Sequence, residues 1–154
     1  MIATTLDQIP APPSSKLLGW HLLDARPKDG WIRIGFDGKK EFCNPAGFVQ
    51  GGLLSAMLDD TMGPAVFAMT DGGLYTATIS MTVNFLAPAK PGPITGEATV
   101  TQLGKTVAFV EGRLIAADGT CWPRLQRVPG WSRPRRPFDR VVIASQRVAR
   151  MRAR

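Results

Sequence analysis

Asn44-Pro45-Ala46-Gly47-Phe48-Val49-Gln50-Gly51-Gly52-Leu53-Leu54-Ser55-Ala56-Met57-Leu58-Asp59-Asp60-Thr61-Met62-Gly63 is the stretch on which the reading of this chain turns. Its first part is irregular, with Pro45 and Gly47 as breakers. From Gly51 onward the alternation of a strand is missing. Leu54, Met57, Leu58, Thr61, Met62 and Ala65 recur at three- and four-residue steps, which predicts a largely buried helix running to about Met69. Pro64 is expected to end or kink it. The helix opens on a glycine pair. A helix N-terminus presents free N–H groups and a partial positive charge, which suits an oxyanion or a polarised carbonyl. Glycine there leaves room for a substrate's approach. Two turns later Asp59 places a carboxylate in an apolar helix. Such a group costs free energy unless it is paired, hydrogen-bonded or used.

On either side of this segment the pattern changes to strands. Residues 31–37 place Ile32, Ile34 and Phe36 on one face at period two. Residues 17–25 are apolar enough for a strand or a short helix. After the turn at Asp71-Gly72-Gly73, residues 76–86 read as a strand rich in β-branched residues. Residues 94–103 and 106–117 read as two more, joined by a hairpin at Gly104-Lys105. Asp118-Gly119 signals a further hairpin, with a strand starting near Thr120. The expected class is α+β: an antiparallel sheet covered by one long helix.

Composition bounds the function. The chain has 154 residues, 44% of them hydrophobic, enough for one domain with a real core. No apolar run approaches a membrane span, and no signal peptide is visible, so a cytoplasmic protein is expected. Cys43 and Cys121 match no metal or redox spacing and read as free thiols. His21 is the one histidine, which excludes mechanisms needing two, and reads as a packing or surface residue. No metal or cofactor is expected.

Three pieces in this order resemble the hotdog-fold acyl-CoA thioesterases of the phenylacetate-degradation type. That motif is Asn, five residues, His-Gly-Gly, then an acid nine residues after the His. Asn44, Gly51, Gly52 and Asp59 fall on its positions, and Gln50 stands where the family has His. Residues 77–89 and 104–112 are similar to the strands that follow. The resemblance covers about residues 17–119 and implies an antiparallel sheet wrapped around one long central helix. It also implies hydrolysis of acyl-CoA, aryl-acyl-CoA included. Asp59 would be the nucleophile or the base that activates water, and the Gly51 N–H would polarise the thioester carbonyl. Asn44 would orient the carboxylate, the water or the carbonyl, and Thr78 would support the carboxylate or water. Gln50, Gly52, Phe48, Lys90 and Lys105 are the expected substrate contacts. Gln50 carries no proton near neutral pH, so Asp59 would act without imidazole help.

Plainer readings stand beside these. Asp59 could be a solvated helix residue, Asn44 a turn residue, Thr78 a β-former, and Lys90 and Lys105 solvated turn charges; Asp60 reads as structural or exposed. A non-catalytic acyl-CoA-binding protein is the second functional class.

One check is independent of any family. Gly51 and Asp59 lie eight residues apart, roughly 12 Å along a helix at 1.5 Å per residue. One carbonyl needs its donor and its attacking group both within about 3 Å. One chain cannot supply both, so a homodimer or dimer of dimers is expected.

The last quarter is different. Residues 1–120 hold nine Lys and Arg against eleven Asp and Glu, a net charge of −2. Residues 121–154 hold ten Arg against Asp139, a net of +9. The expected organisation is a flexible leader over 1–15, the thioesterase domain over 16–120, and an atypical Arg-rich tail over 121–154. Pro123 and Pro129 suit no interior strand. Shifting the frame by one nucleotide forces Leu and then Ala from Trp122 onward, with one of Ser, Pro, Thr or Ala admitted next, and the shifted frame can read Leu-Leu-Ala-Thr-Ala-Thr-Ala-Ser-Ala-Arg-Leu-Val, a credible final strand. The tail is therefore expected to be out of frame and not to pair as a full-length strand. Residues 138–152 are offered as a basic amphipathic helix. The charge could serve nucleic acid or an anionic membrane, the third class. A shifted GC-rich frame is Arg-rich for its own reasons, so neither partner is expected.

Overall fold

The computed structural model describes residues 5–116 and 142–150. Ile32, Ile34 and Phe36 alternate along strand β2 (Trp31–Gly38), and all three are buried. β2 pairs on one side with β1 (His21–Arg26) and on the other with β4 (Gly92–Leu103). β4 turns through Gly104, whose N–H donates to the Val107 carbonyl at 2.9 Å, into β5 (Val107–Ala116). With β3 (Leu74–Thr82) and β6 (Val142–Arg150), the strands form one antiparallel sheet in the order β1-β2-β4-β5-β6-β3. Helix α2 (Gly51–Met69) lies across its inner face. This is the hotdog fold, and α2 has the bounds that its apolar spacing predicts.

Met57, Met62 and Val66 of α2 are fully buried in one core with Ile32, Ile34, Phe36, Ile94 and Val110. Each such side chain contributes about 1.5–3 kcal/mol on leaving water. The helix comes this close because two strand residues lack side chains. A Cβ on Gly96 would collide with the Thr61 hydroxyl, and one on Gly112 would press on Met62 and Leu58 at 3.1 and 3.2 Å.

Pro64 does not end the helix, one of the two outcomes expected of it. Proline has no N–H, so the carbonyl four residues back, that of Asp60, loses its helical donor. The Trp20 indole supplies one from outside, Nε1 donating to the Asp60 carbonyl at 3.1 Å. A satisfied carbonyl lets the helix continue to Met69.

The first residues are not a free leader over their described part. Helix α1 (Pro13–Leu18) precedes β1, so the 17–25 segment divides between helix and strand. Ser15 is buried, and the Thr5 hydroxyl donates to Asp71 at 2.5 Å. β3 ends at Thr82, four residues short of the expected Leu86, and the chain beyond it brings Phe85 against Gly51 and Ala89 against Val49.

Residues 142–150 form strand β6, not a helix, and this part of the tail does pair. It bridges β5 and β3, meeting Val107 to Gly112 on one side and Leu74 to Thr82 on the other. Without a strand there, two ladders of N–H and C=O groups would lie open, and a β-branched segment is a fit filler. Cys121, the strand expected near Thr120 and the frame expectation from residue 121 fall outside the described residues, as does residue 120, the expected end of the domain.

Candidate active site

The loop before α2 is held by backbone and by one side chain. Asn44 N–H donates to the Phe48 carbonyl at 2.8 Å, Val49 N–H to Ala89 at 2.7 Å, and Gln50 N–H to Phe42 at 2.9 Å. The Asn44 side-chain oxygen accepts from the N–H groups of Ala46 and Phe48 at 3.0 and 3.2 Å. Gly47 takes φ +82°, a conformation that favours glycine. Asn44 therefore shapes its own loop, as a turn residue does. Fixing its oxygen there directs its NH2 group away from the loop backbone.

Gln50 is the N-cap of α2 and gives the first turn no side-chain acceptor. The leading N–H groups of the helix consequently have no cap. They open on a cavity of about 390 Å3 lined by Asn44, Phe48, Val49, Gly51, Leu54, Phe85, Ala87, Pro88 and Ala89. Three residues expected at the site, Asn44, Phe48 and Gly51, are together here. Gly52 faces open space, with nothing within 4 Å of where its Cβ would be. Gln50 is exposed.

Asp59 lies two turns down α2, half-buried on the side that meets β3. The Thr78 hydroxyl on β3 donates to its Oδ1 at 2.5 Å. One carboxylate oxygen is thereby held, and the other is left for a further donor. Asp59 and Gly51 stand on one unbroken helix, so their separation of roughly 12 Å holds.

Asp60 has a different environment. Its Oδ2 is buried without a partner. Burial pushes its carboxyl above the ordinary range, the Ser15 hydroxyl pulls it down, and the charge of Asp59 pushes it up again. Its hydrogen bond with Ser15 joins α1 to α2.

The two lysines are far apart. Lys90 follows Ala89 at the cavity, while Lys105 lies in the turn beyond the other end of β4. A strand of twelve residues spans roughly 40 Å at ~3.3 Å per residue. One ligand in one chain does not touch both. His21 is a surface residue, its Nδ1 3.0 Å from the Gly19 carbonyl. Among the described residues no three His, Cys, Asp or Glu gather as a metal site, and no helix is long and apolar enough to cross a membrane. Cys43 is a free thiol.

Sequence reasoning missed Phe85 and Trp20. Phe85 was assigned to a strand that ends before it. Trp20 had a signal: a proline inside a helix leaves a carbonyl that needs a donor from elsewhere.

Residues 46–122 match the family model described as the thioesterase superfamily. The chain belongs to the thioesterase superfamily. A Saccharolobus solfataricus protein named as a candidate esterase is 36% identical over 81 residues, covering 53% of this chain and 57% of that protein. This thioesterase-superfamily chain thus matches little more than half the length of that curated relative. Among solved structures, a Ralstonia eutropha protein, described as a thioesterase candidate related to phenylacetic acid degradation, superposes with a TM-score of 0.70. It is 24% identical and covered over 96% of both chains. A hypothetical thioesterase of Streptococcus pneumoniae, solved with coenzyme A, superposes at 0.65 with 17% identity over 87% of this chain and 88% of that one. At these identities the structural likeness speaks to the fold.

Proposed function

We propose that this superfamily member hydrolyses acyl-CoA thioesters, aryl-acyl-CoA among them, with Asp59 as the acting carboxylate. The observation that carries it is the Thr78–Asp59 hydrogen bond, a carboxylate held in place on the same helix as an uncapped, glycine-led N-terminus. The Gly51 N–H polarises the thioester carbonyl where its negative charge develops. Asp59 takes a proton from water, whose oxygen bonds to the carbonyl carbon, or attacks that carbon itself and forms an anhydride that water then opens. In both routes the C–S bond breaks and coenzyme A leaves as the thiolate, which takes the proton that Asp59 removed from water in the first route and a proton from solvent water in the second. The free NH2 group of Asn44 and the Phe48 side chain face the same cavity. Lys90, next in sequence to the cavity residue Ala89, would meet phosphates of a ligand leaving that cavity.

The separation of Gly51 and Asp59 requires two chains, each completing the other's site. The sheet supports this. β3 carries Thr78, lies at the edge of the sheet, and exposes Tyr75 and Ile79 at 62% and 56%. An open edge with apolar side chains is suited to pairing with a second copy.

Gln50 favours a second reading, a protein that binds acyl-CoA without hydrolysing it, because no imidazole stands at the cavity. Thiol release from short, medium and aromatic acyl-CoAs separates the two. Hydrolysis by the wild type with loss of at least ~1,000-fold in Asp59→Asn is expected. Turnover unchanged in Asp59→Asn would remove Asp59 from the chemistry, and binding without turnover in the wild type would support the second reading.

A further inference from the structure

Phe85 is a large apolar side chain left 55% exposed, in the segment that runs from the end of β3 back toward α2. Nothing in the core accounts for it. Its ring tip is nonetheless placed closely. A Cβ built on Gly51 would meet Phe85 Cζ at 3.0 Å and its two Cε atoms at 3.3 and 3.4 Å. In a helix each Cα–Cβ direction tilts toward the N-terminus. The ring tip therefore packs against Gly51 at the N-terminal end of α2. The absent Gly51 side chain is the space that the ring fills. Phe85 also lines the cavity, together with Leu54 of α2 and Val49 of the preceding loop.

We infer that Phe85 is a specificity-determining residue that selects acyl groups unbranched at the carbon next to the carbonyl. The inference rests on the proposal that the Gly51 N–H receives the thioester carbonyl. A carbonyl oxygen held on that N–H puts its carbonyl carbon and α-carbon within reach of the ring tip. A methylene passes along the ring edge; an additional methyl on the α-carbon meets it. One methyl group in an apolar site changes kcat/KM by roughly 10- to 200-fold. The ring is exposed and outside the core, so its removal leaves the fold intact.

The experiment compares butyryl-CoA with isobutyryl-CoA, which differ by where one carbon is attached, in the wild type, Phe85→Leu, Phe85→Ala and Leu86→Ala. Leu86 is equally exposed but does not line the cavity, and serves as the control. The kcat/KM ratio, straight over branched, is expected to be about 10 or more in the wild type and in Leu86→Ala. It is expected to fall toward one in Phe85→Ala, with Phe85→Leu between, at an unchanged Tm. A parallel measurement uses ketone analogues of the two substrates, with a methylene between sulfur and carbonyl, and reads Kd by calorimetry. Those analogues keep the carbonyl but cannot be hydrolysed, so loss of the proposed activity is told apart from loss of the proposed selection. Equal ratios in wild type and Phe85→Ala, in turnover or in Kd, overturn the assignment of Phe85. Failure of the wild type to bind either analogue overturns it together with the cavity's role.

Discussion

The Thr78 hydroxyl on β3 holds Oδ1 of Asp59 on α2 at 2.5 Å, across nineteen positions of sequence. A helix carboxylate and a strand hydroxyl meet because α2 packs on β3 in this stretch; one turn on, a Cβ added to Gly63 would come within 3.4 Å of the Thr76 hydroxyl. The pairing fixes the direction of the carboxylate through one of its two oxygens.

Thr78→Ala is expected to lower kcat about 10-fold with KM little changed, since the bond positions the carboxylate and not the substrate. Thr78→Ser keeps the hydroxyl and is expected to keep most of the activity. Steady-state kinetics on the best acyl-CoA checks both. Equal loss in Ala and Ser would assign the effect to the β-branched methyl and its packing.

Trp20→Phe removes the indole donor and leaves the Asp60 carbonyl without a partner in the middle of α2. A cost of about 1–3 kcal/mol is expected in urea unfolding. Pro64→Ala restores a backbone N–H at the position that should donate to that carbonyl. In the Pro64→Ala background the cost of Trp20→Phe is therefore expected to shrink, a coupling that a double-mutant cycle measures.

Asp60 gives stability a slope with pH. Burial, first of all, raises its carboxyl in the folded state above the ordinary 3.8. The unfolded chain therefore gives up this proton first as pH rises. Between the ordinary value and the raised one the folded state binds more protons, and its stability declines with rising pH. Asp60→Asn is expected to remove that decline, read as the difference in unfolding midpoint between wild type and variant across acidic pH. A wild-type minus variant difference that grows with pH would reverse the sign and refute it.

Glu97 acts in the opposite direction. On β4 it is flanked in register by Arg33 of β2 and Arg113 of β5. Its Oε1 accepts from Arg33 at 2.5 and 2.8 Å, and its Oε2 from Arg113 at 2.6 and 2.8 Å. Burial would raise its carboxyl, but the hydrogen bonds and charges of Arg113 and Arg33 outweigh it and hold the group below the ordinary 4.5. Its contribution is present above the ordinary value and lost as pH falls through the lowered one. Both arginines are substantially exposed, so water screens the pairs, and Glu97→Gln is expected to cost about 1–2 kcal/mol at neutral pH. The wild type and Glu97→Gln should converge in stability on acidification.

The bounds of α2 were legible because a glycine pair and a run of three- and four-residue apolar steps leave no other periodicity. β2, β4 and β5 were legible through alternation and the Gly104 turn. That Pro64 does not end the helix was not legible, since the carbonyl it orphans is satisfied by Trp20 from forty positions away. Phe85 was illegible as a cavity wall, because its closeness to Gly51 is a property of how a loop returns over a helix. The strand between β5 and β3 was expected from residues just after 120; Val142–Arg150 stands there instead. A sheet position selects whichever β-competent segment reaches it, and composition alone does not say which.

The most direct test concerns the sharing of one site by two chains. Gly51→Pro removes the N–H donor at a helix position where proline is tolerated, and Gln50 at φ −64°, ψ 138° already has the backbone a following proline requires. The exposed Phe85 ring must swing aside for it. Asp59→Asn removes the carboxylate. Each variant alone should be inactive. Coexpressed in equal amounts, half of the dimers are mixed, and each mixed dimer has one site with both groups intact. Thiol release at about a quarter of the wild-type rate is the expected result. A coexpressed sample no more active than the two variants purified separately would contradict a site built from Gly51 of one chain and Asp59 of the other.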